Sequence, residues 1–278
     1  MRTRAANKPT AFLLIILCLS AAGCVRFSTP AERDASFSPH YNAKVGAEDL
    51  WAYLIARAGI LIGAESLAPT ALNTNSVRFA TKKALAYGTA APIDERGYFL
   101  TAAHSVGKGQ VWVGFRRNGK SQVERARIVW RGDKKKEEPD LAVLCVSQPI
   151  GSTFQWAANF TNGSPVVHVG LRVDDHARHL QPQCMAGRVL KVSEALSADS
   201  LDYTVVSHSS PLRPGDSGGP LVLSDGRLLG INVMVRPDFQ WSHLSFEQHS
   251  EAHRPDLLWL RKIIDADAAL FPEEISSP

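Results

Sequence analysis

The chain of 278 residues is poor in cysteine, with four, and in methionine, with three, and it has no internal repeat and no low-complexity block. So few thiols exclude a disulfide-stapled scaffold, and a hydrophobic content of 45% supplies a core without one. An excess of charge of one sign is also missing. The formal charge is +4, but Arg2, Arg4 and Lys8 precede Cys24 with no acidic residue among them, and from Cys24 onward 28 basic residues face 27 acidic ones. That balance removes the electrostatic case for nucleic acid as a partner. Nor does any apolar run reach the roughly 20 residues a helix needs to cross a bilayer. The length suits one large domain or two small ones that share a core.

What is present begins with an address. Ala11 to Leu19 is apolar and follows the three N-terminal cations, which gives residues 1–23 the length and flanks of a signal peptide. The segment Ser20-Ala21-Ala22-Gly23-Cys24 resembles the lipobox of bacterial lipoproteins. That resemblance implies a lipid on Cys24, attachment to a membrane of the cell envelope and, since Val25 is not Asp, the outer membrane facing the periplasm in a Gram-negative source. The alternative is an ordinary signal peptide with an incidental cysteine. Cys145 and Cys184 then remain, either as one bridge in an oxidising compartment or as two buried thiols.

Residues 24–76 read as a tether followed by an N-terminal helical segment, with residues 47–58 forming a helix whose apolar face packs on the body of the protein. From about residue 77 onward, short apolar runs separated by turns give an all-β domain extending over 77–278. Val111, Val113 and Phe115 alternate with Trp112, Gly114 and Arg116, and Leu141, Val143 and Cys145 with Ala142, Leu144 and Val146. Residues 220–231 read as a hairpin around Asp225-Gly226. A closing helix is predicted over about 255–271, entered at Pro255, with Leu257, Leu260, Ile264, Ala268 and Phe271 on one face.

A serine hydroxyl becomes a nucleophile only with a base beside it, a group to orient that base, and donors for the oxyanion that forms. Three segments supply such parts. Gly215-Asp216-Ser217-Gly218-Gly219-Pro220 sets Ser217 among glycines, which let the backbone turn tightly and aim N–H groups at a carbonyl. Gly97 to His104 is a strand-like run that ends in Thr101-Ala102-Ala103-His104. Asp140 opens the strand-like run Asp140-Leu141-Ala142-Val143-Leu144 after the charged loop Lys134 to Glu138.

In this order, His104, Asp140, Ser217, the segments resemble the trypsin-like family of serine peptidases over roughly residues 77–271. The resemblance implies two packed antiparallel β-barrels with the site in the cleft between them. It makes His104 the general base, Asp140 the residue that orients it, Ser217 the attacking group, and the N–H groups of Gly215 and Ser217 the oxyanion hole. It implies protein or peptide substrates and no cofactor or metal. Asp216, which in animal members pairs with a newly cut N-terminus, is expected to be solvated or locally bonded, because Ile60-Leu61-Ile62-Gly63 is a poor equivalent of such a terminus. Val233 stands where the family offers a hydroxyl to the catalytic acid. Pro211 stands at the pocket base, and Val233 and Val235 are expected in the pocket wall, so cleavage after small or aliphatic residues is expected.

Other readings compete. Gly215-Asp216-Ser217-Gly218-Gly219 also fits the nucleophile elbow of α/β-hydrolases, which requires a helix after the serine and the acid and histidine downstream of it. A non-catalytic binding or chaperone module on the same fold would have no chemical need for all three residues. His176 and His179, and likewise His243, His249 and His253, lie in polar stretches and are expected to be solvated rather than metal-binding. No PDZ-like extension is expected, since seven residues follow Phe271.

Overall fold

The computed structural model describes residues 26–28, 47–64, 70–73, 76–78, 86–117, 120–174, 179–197, 201–240 and 245–271. The signal segment, Cys24, His176 and His243 lie outside these described residues. Among the described residues, fifteen strands and two α-helices are arranged in chain order as β1 (Arg26–Ser28), α1 (Ala47–Arg57), β2 (Gly59–Ala64), β3 (Thr70–Asn73), β4 (Ser76–Arg78), β5 (Ala86–Asp94), β6 (Tyr98–Thr101), β7 (Gln110–Arg117), β8 (Lys120–Arg131), β9 (Ala142–Cys145), β10 (Pro165–Asp174), β11 (His179–Leu196), β12 (Asp202–His208), β13 (Pro220–Leu223), β14 (Leu228–Gln240), β15 (Ser245–Pro255) and α2 (Leu257–Leu270).

The strands form the two barrels that the motifs imply. The first closes in the order β2-β5-β6-β9-β8-β7. In the second, β10, β11, β12, β15, β14 and β13 pair around a ring, each with the next and β13 back to β10. β1 adds to β15 in parallel, and β4 and β3 extend the sheet beyond β11. The all-β body therefore starts earlier than residue 77. β2 is a full barrel strand paired with both β5 and β7, and Ile60, Leu61 and Ile62 are buried on it, so this apolar stretch belongs to the barrel rather than to the N-terminal helical segment.

The alternation seen along the chain has a specific outcome on β9. Leu141, Val143 and Cys145 face the core between the barrels, and Ala142, Leu144 and Val146 face the interior of the first barrel. Both faces are buried, which is why the run reads as continuously apolar. Cys145 and Cys184 are buried in that shared core and are not joined in a disulfide, and burial pushes the Cys184 thiol up to about 12, well away from reactive thiolate. α1 packs as expected through the fully buried Leu54, while Tyr53 meets Phe154 edge-on with ring centroids 5.9 Å apart.

The closing helix starts at Leu257, not Pro255. Pro255 is still paired with Tyr203 in the sheet, and the Asp256 carboxylate caps the helix by accepting from Trp259 N at 2.7 Å. Its inner face includes a charge among the apolar residues. Asp267 is buried beside Leu260 and Ile264, accepts from Tyr98 Oη at 2.8 Å, and receives both arms of the Arg127 guanidinium. Trp259 meets Trp130 edge-on at 4.7 Å. The last helix of the chain is thus fastened to β6 and β8 of the first barrel.

Replacing Asp267 by Ala removes the carboxylate that accepts from Arg127 and the Tyr98 hydroxyl, and should cost about 2–4 kcal/mol in urea unfolding. Tyr98→Phe alone should cost about 1 kcal/mol, and close to nothing in the Asp267→Ala background.

Candidate active site

The three residues singled out by the sequence come from both barrels. His104 lies in a 3-10 turn, Ala103–Ser105, directly after β6, and Asp140 directly precedes β9, so both belong to the first barrel. Ser217 lies in the turn between β12 and β13 of the second. That turn leads into a strand, which excludes the helix an α/β-hydrolase elbow requires.

Asp140 is buried, and its carboxylate receives two hydrogen bonds from one residue. His104 N donates to Oδ1 at 2.9 Å, and the His104 ring meets Oδ2 through Nδ1 at 2.7 Å. Burial pushes the Asp140 carboxyl up, but the hydrogen bonds and charge of His104 outweigh this and hold it below the ordinary carboxylate range. An ionised Asp140 fixes the tautomer in which Nδ1 carries the proton and Nε2 is free to accept one. The loop before Asp140 is pinned at both ends, by Gly132 N on Leu141 O at 2.9 Å and Ala103 N on Asp140 O at 3.2 Å.

The Ser217 turn docks on the same part of the first barrel. Thr89 N donates to Ser217 O at 2.9 Å, and Thr89 Oγ1 donates to Gly215 O at 2.9 Å. Gly88 leaves room for this contact: a Cβ there would stand 2.8 Å from Ser217 O and 3.2 Å from Ser105, the residue after His104. Gly218 has φ +84°, and a Cβ on it would strike Thr89 O and Thr101 Oγ1. Backbone bonds within the turn use the N–H groups of Asp216 and Gly219, and Gly218 N donates to Asn232 O of β14. Among the described residues this leaves the N–H groups of Gly215, at φ +99°, and of Ser217 outside that bonding.

Asp216 is buried and bonded rather than solvated. It accepts from Arg213 N at 2.7 Å, with Arg172 Nη1 and His168 Nε2 each 3.4 Å from a carboxylate oxygen. Ile60 to Gly63 lies within β2, so it supplies no terminal ammonium to this carboxylate.

The expected pocket wall is rearranged. Val233 sits in the core between the barrels, because β14 bulges between Asn232 and Met234 and turns its side chain away. Val235 is exposed and Pro211 is half-buried. What the sequence reading missed is a buried polar patch inside the second barrel. His168, His208, Ser210, Asn232 and Ser250 are all enclosed there, and Asn232 is tied to the serine turn by Gly218 N on its carbonyl at 2.8 Å. The Asn232 amide stands beside the His208 ring but outside hydrogen-bonding geometry. Burial, helped by the neighbouring His168, pushes His208 down to about 3.

His253 is the second correction. It is not in a solvated loop but in β15, buried, with Nδ1 accepting the Asp140 backbone N–H at 3.1 Å. His249 lies on the same strand, 3.6 Å from Glu251. Among the described residues no group of three His, Cys, Asp or Glu side chains is placed to hold a metal ion.

Comparisons with known proteins bear on the fold and family. A family model described as a trypsin-like peptidase domain matches residues 88–231. The "Serine protease Do-like HtrA" of Bacillus subtilis (strain 168) is 31% identical over 99 residues, which is 34% of this chain and 22% of that protein. The match thus spans about a fifth of that relative's length. The Rv3671c protease from M. tuberculosis, in its active form, superposes with a TM-score of 0.51 at 15% identity, covering 100% of this chain and 95% of that one. The MamO protease domain from Magnetospirillum magneticum, in its apo form, gives 0.50 at 17% identity over 75% of this chain and 96% of that one. At such identities the two structures speak to the fold alone.

His208 and His253 give the site a pH-dependent stability. Burial lowers both in the folded state, to about 3 and about 4, below the ordinary histidine value near 6.5. As pH falls below that value the unfolded chain takes up protons that the folded chain refuses, so stability declines. Urea unfolding at about pH 4.5 should show a loss of a few kcal/mol relative to about pH 7, and His208→Asn should remove about half of it.

Proposed function

The chain belongs to the trypsin-like peptidase family, and from that premise we propose that it is a serine endopeptidase of the bacterial cell envelope with Ser217 as nucleophile. In this reading His104 Nε2 takes the Ser217 hydroxyl proton as the oxygen attacks the scissile carbonyl, and returns it to the leaving amine. Asp140 holds the ring in the required tautomer and stabilises the imidazolium. The N–H groups of Gly215 and Ser217 receive the oxyanion. Water then hydrolyses the acyl-enzyme through the same base. The observation that carries the reading is the 2.7 Å bond between His104 Nδ1 and the buried Asp140 carboxylate, on the same barrel to which Thr89 of β5 fastens the glycine-built serine turn.

The substrates are proteins or peptides cleaved after small or aliphatic residues. Support comes from Pro211 at the family's pocket base and from Asp216. That carboxylate is already committed to Arg172, His168 and Arg213 N, and so is not free to receive a lysine or arginine of a substrate. Cys24 carries the lipid that holds the protein on a membrane, the outer one facing the periplasm if the source is Gram-negative, the support being the lipobox-like Ala21-Ala22-Gly23-Cys24.

A fluorophosphonate probe applied to cells expressing the full chain should label it in the membrane fraction. Ser217→Ala should abolish labelling and lower turnover by on the order of 10⁶, and Cys24→Ser should move the labelled protein to the soluble fraction. Labelling that survives Ser217→Ala would sink the assignment, and a folded wild type that never reacts would favour a non-catalytic binding module. In a peptide library, cleavage after alanine or valine should exceed cleavage after arginine or lysine by at least about 10-fold. A profile dominated by arginine or lysine would overturn the substrate reading.

A further inference from the structure

His104 and Asp140 sit on one barrel and Ser217 on the other, so their alignment depends on how the barrels are registered. The Asp140 carboxylate is occupied by His104, and its carbonyl by Ala103 N, both from its own barrel. Its amide is different. It crosses the interface and donates to His253 Nδ1 at 3.1 Å in a buried bond between residues 113 positions apart. His253 stands on β15 directly opposite Ile231 of β14. The next residue, Asn232, exchanges backbone bonds with Gly218 and Gly219, the two residues after Ser217. A short path of hydrogen bonds and strand pairing therefore runs from the amide of Asp140 to the turn that carries Ser217.

We propose that His253 is a positioning residue for this peptidase: its Nδ1, by accepting the Asp140 N–H, sets the acid and the His104 ring against Ser217 across the barrel interface. Val233, at the position where the family supplies a hydroxyl to the acid, is packed in the core and makes no such contact. The support comes through the backbone of Asp140 instead. The role requires an unprotonated Nδ1. Burial, partly offset by Asp140 and Glu251 and aided by Arg236, lowers His253 to about 4, so the ring is a neutral acceptor at neutral pH. The Tyr203 ring, 5.1 Å away at 51°, packs on the imidazole and limits its rotation. His253 is buried and acts through Asp140, so its loss is expected to fall on turnover rather than on binding.

The proposal rests on the serine peptidase reading, and the experiment separates the two. Asparagine places an acceptor oxygen near the position of Nδ1, and glutamine places one near that of Nε2; both are polar and smaller than or equal to the ring in bulk. His253→Asn should keep kcat within about 5-fold of wild type, whereas His253→Gln should lower kcat by up to on the order of 10²-fold with KM unchanged. In ¹⁵N-labelled wild type, a coupling across the Asp140 N–H···Nδ1 His253 bond should be detected by NMR independently of any activity. Its absence overturns the positioning role. So do equal kcat values for the two variants, or an effect confined to KM, in a wild type that reacts with the fluorophosphonate probe. A wild type that shows the coupling yet never reacts with the probe overturns the peptidase reading, and the positioning role with it.

Discussion

The candidate site depends on hydrogen bonds that cross from one barrel to the other. Each barrel is closed, with its own apolar interior. Neither holds a complete site. Thr89 fastens the Ser217 turn to the first barrel through both its amide and its hydroxyl, and His253 fastens Asp140 to the second. These bonds are directional where the apolar core between the barrels is not. Burial of Val143, Val167, Ile231 and Leu260 supplies attraction, roughly 1.5–3 kcal/mol for each large side chain, but tolerates small slips. The polar bonds, by contrast, hold only when donor and acceptor meet at short distance, so they set the register between the barrels.

The cost of that register is visible in the interior of the second barrel. Its lower part is filled with Val166, Val189, Val206, Leu221 and Leu229, an ordinary apolar core. Toward Ser217 the filling changes to His168, His208, Ser210, Asn232 and Ser250. His168 meets Ser210 through Nδ1 at 2.7 Å and lies near Asp216, and Ser250 donates to Ser210 O at 2.7 Å. Buried polar groups with few partners destabilise a fold, and they concentrate where backbone must be held in a shape apolar packing alone would not choose.

Much of this was legible in the sequence where function needs residues adjacent along the chain. The turn around Ser217, the strand end at His104 and the strand start at Asp140 each carry local geometry in their own few residues. So does the Asp225-Gly226 hairpin, with Gly226 at φ +83°. Illegible were features that exist only by long-range contact. His253 sits in His249-Ser250-Glu251-Ala252-His253, a strand polar on both faces, and nothing local separates it from a solvated loop. β2 is apolar on consecutive residues because both faces are covered, which removes the alternation that marks a strand. Val233 was misplaced because a bulge at that position rotates the side chain, and a bulge leaves no mark in the residue types around it.

The position of β15 near the end of the chain has a consequence for synthesis. The first barrel uses strands between residues 59 and 145, so it can close while the remainder is still being made. His104 and Asp140 are thus assembled early, and Ser217 follows. The second barrel stays open until β15 pairs with both β12 and β14, and α2 then reaches back to Tyr98 and Arg127. The nascent polypeptide therefore passes through a stage in which His104, Asp140 and Ser217 have all been translated while the second barrel is still open, until β15, which begins at Ser245, is made.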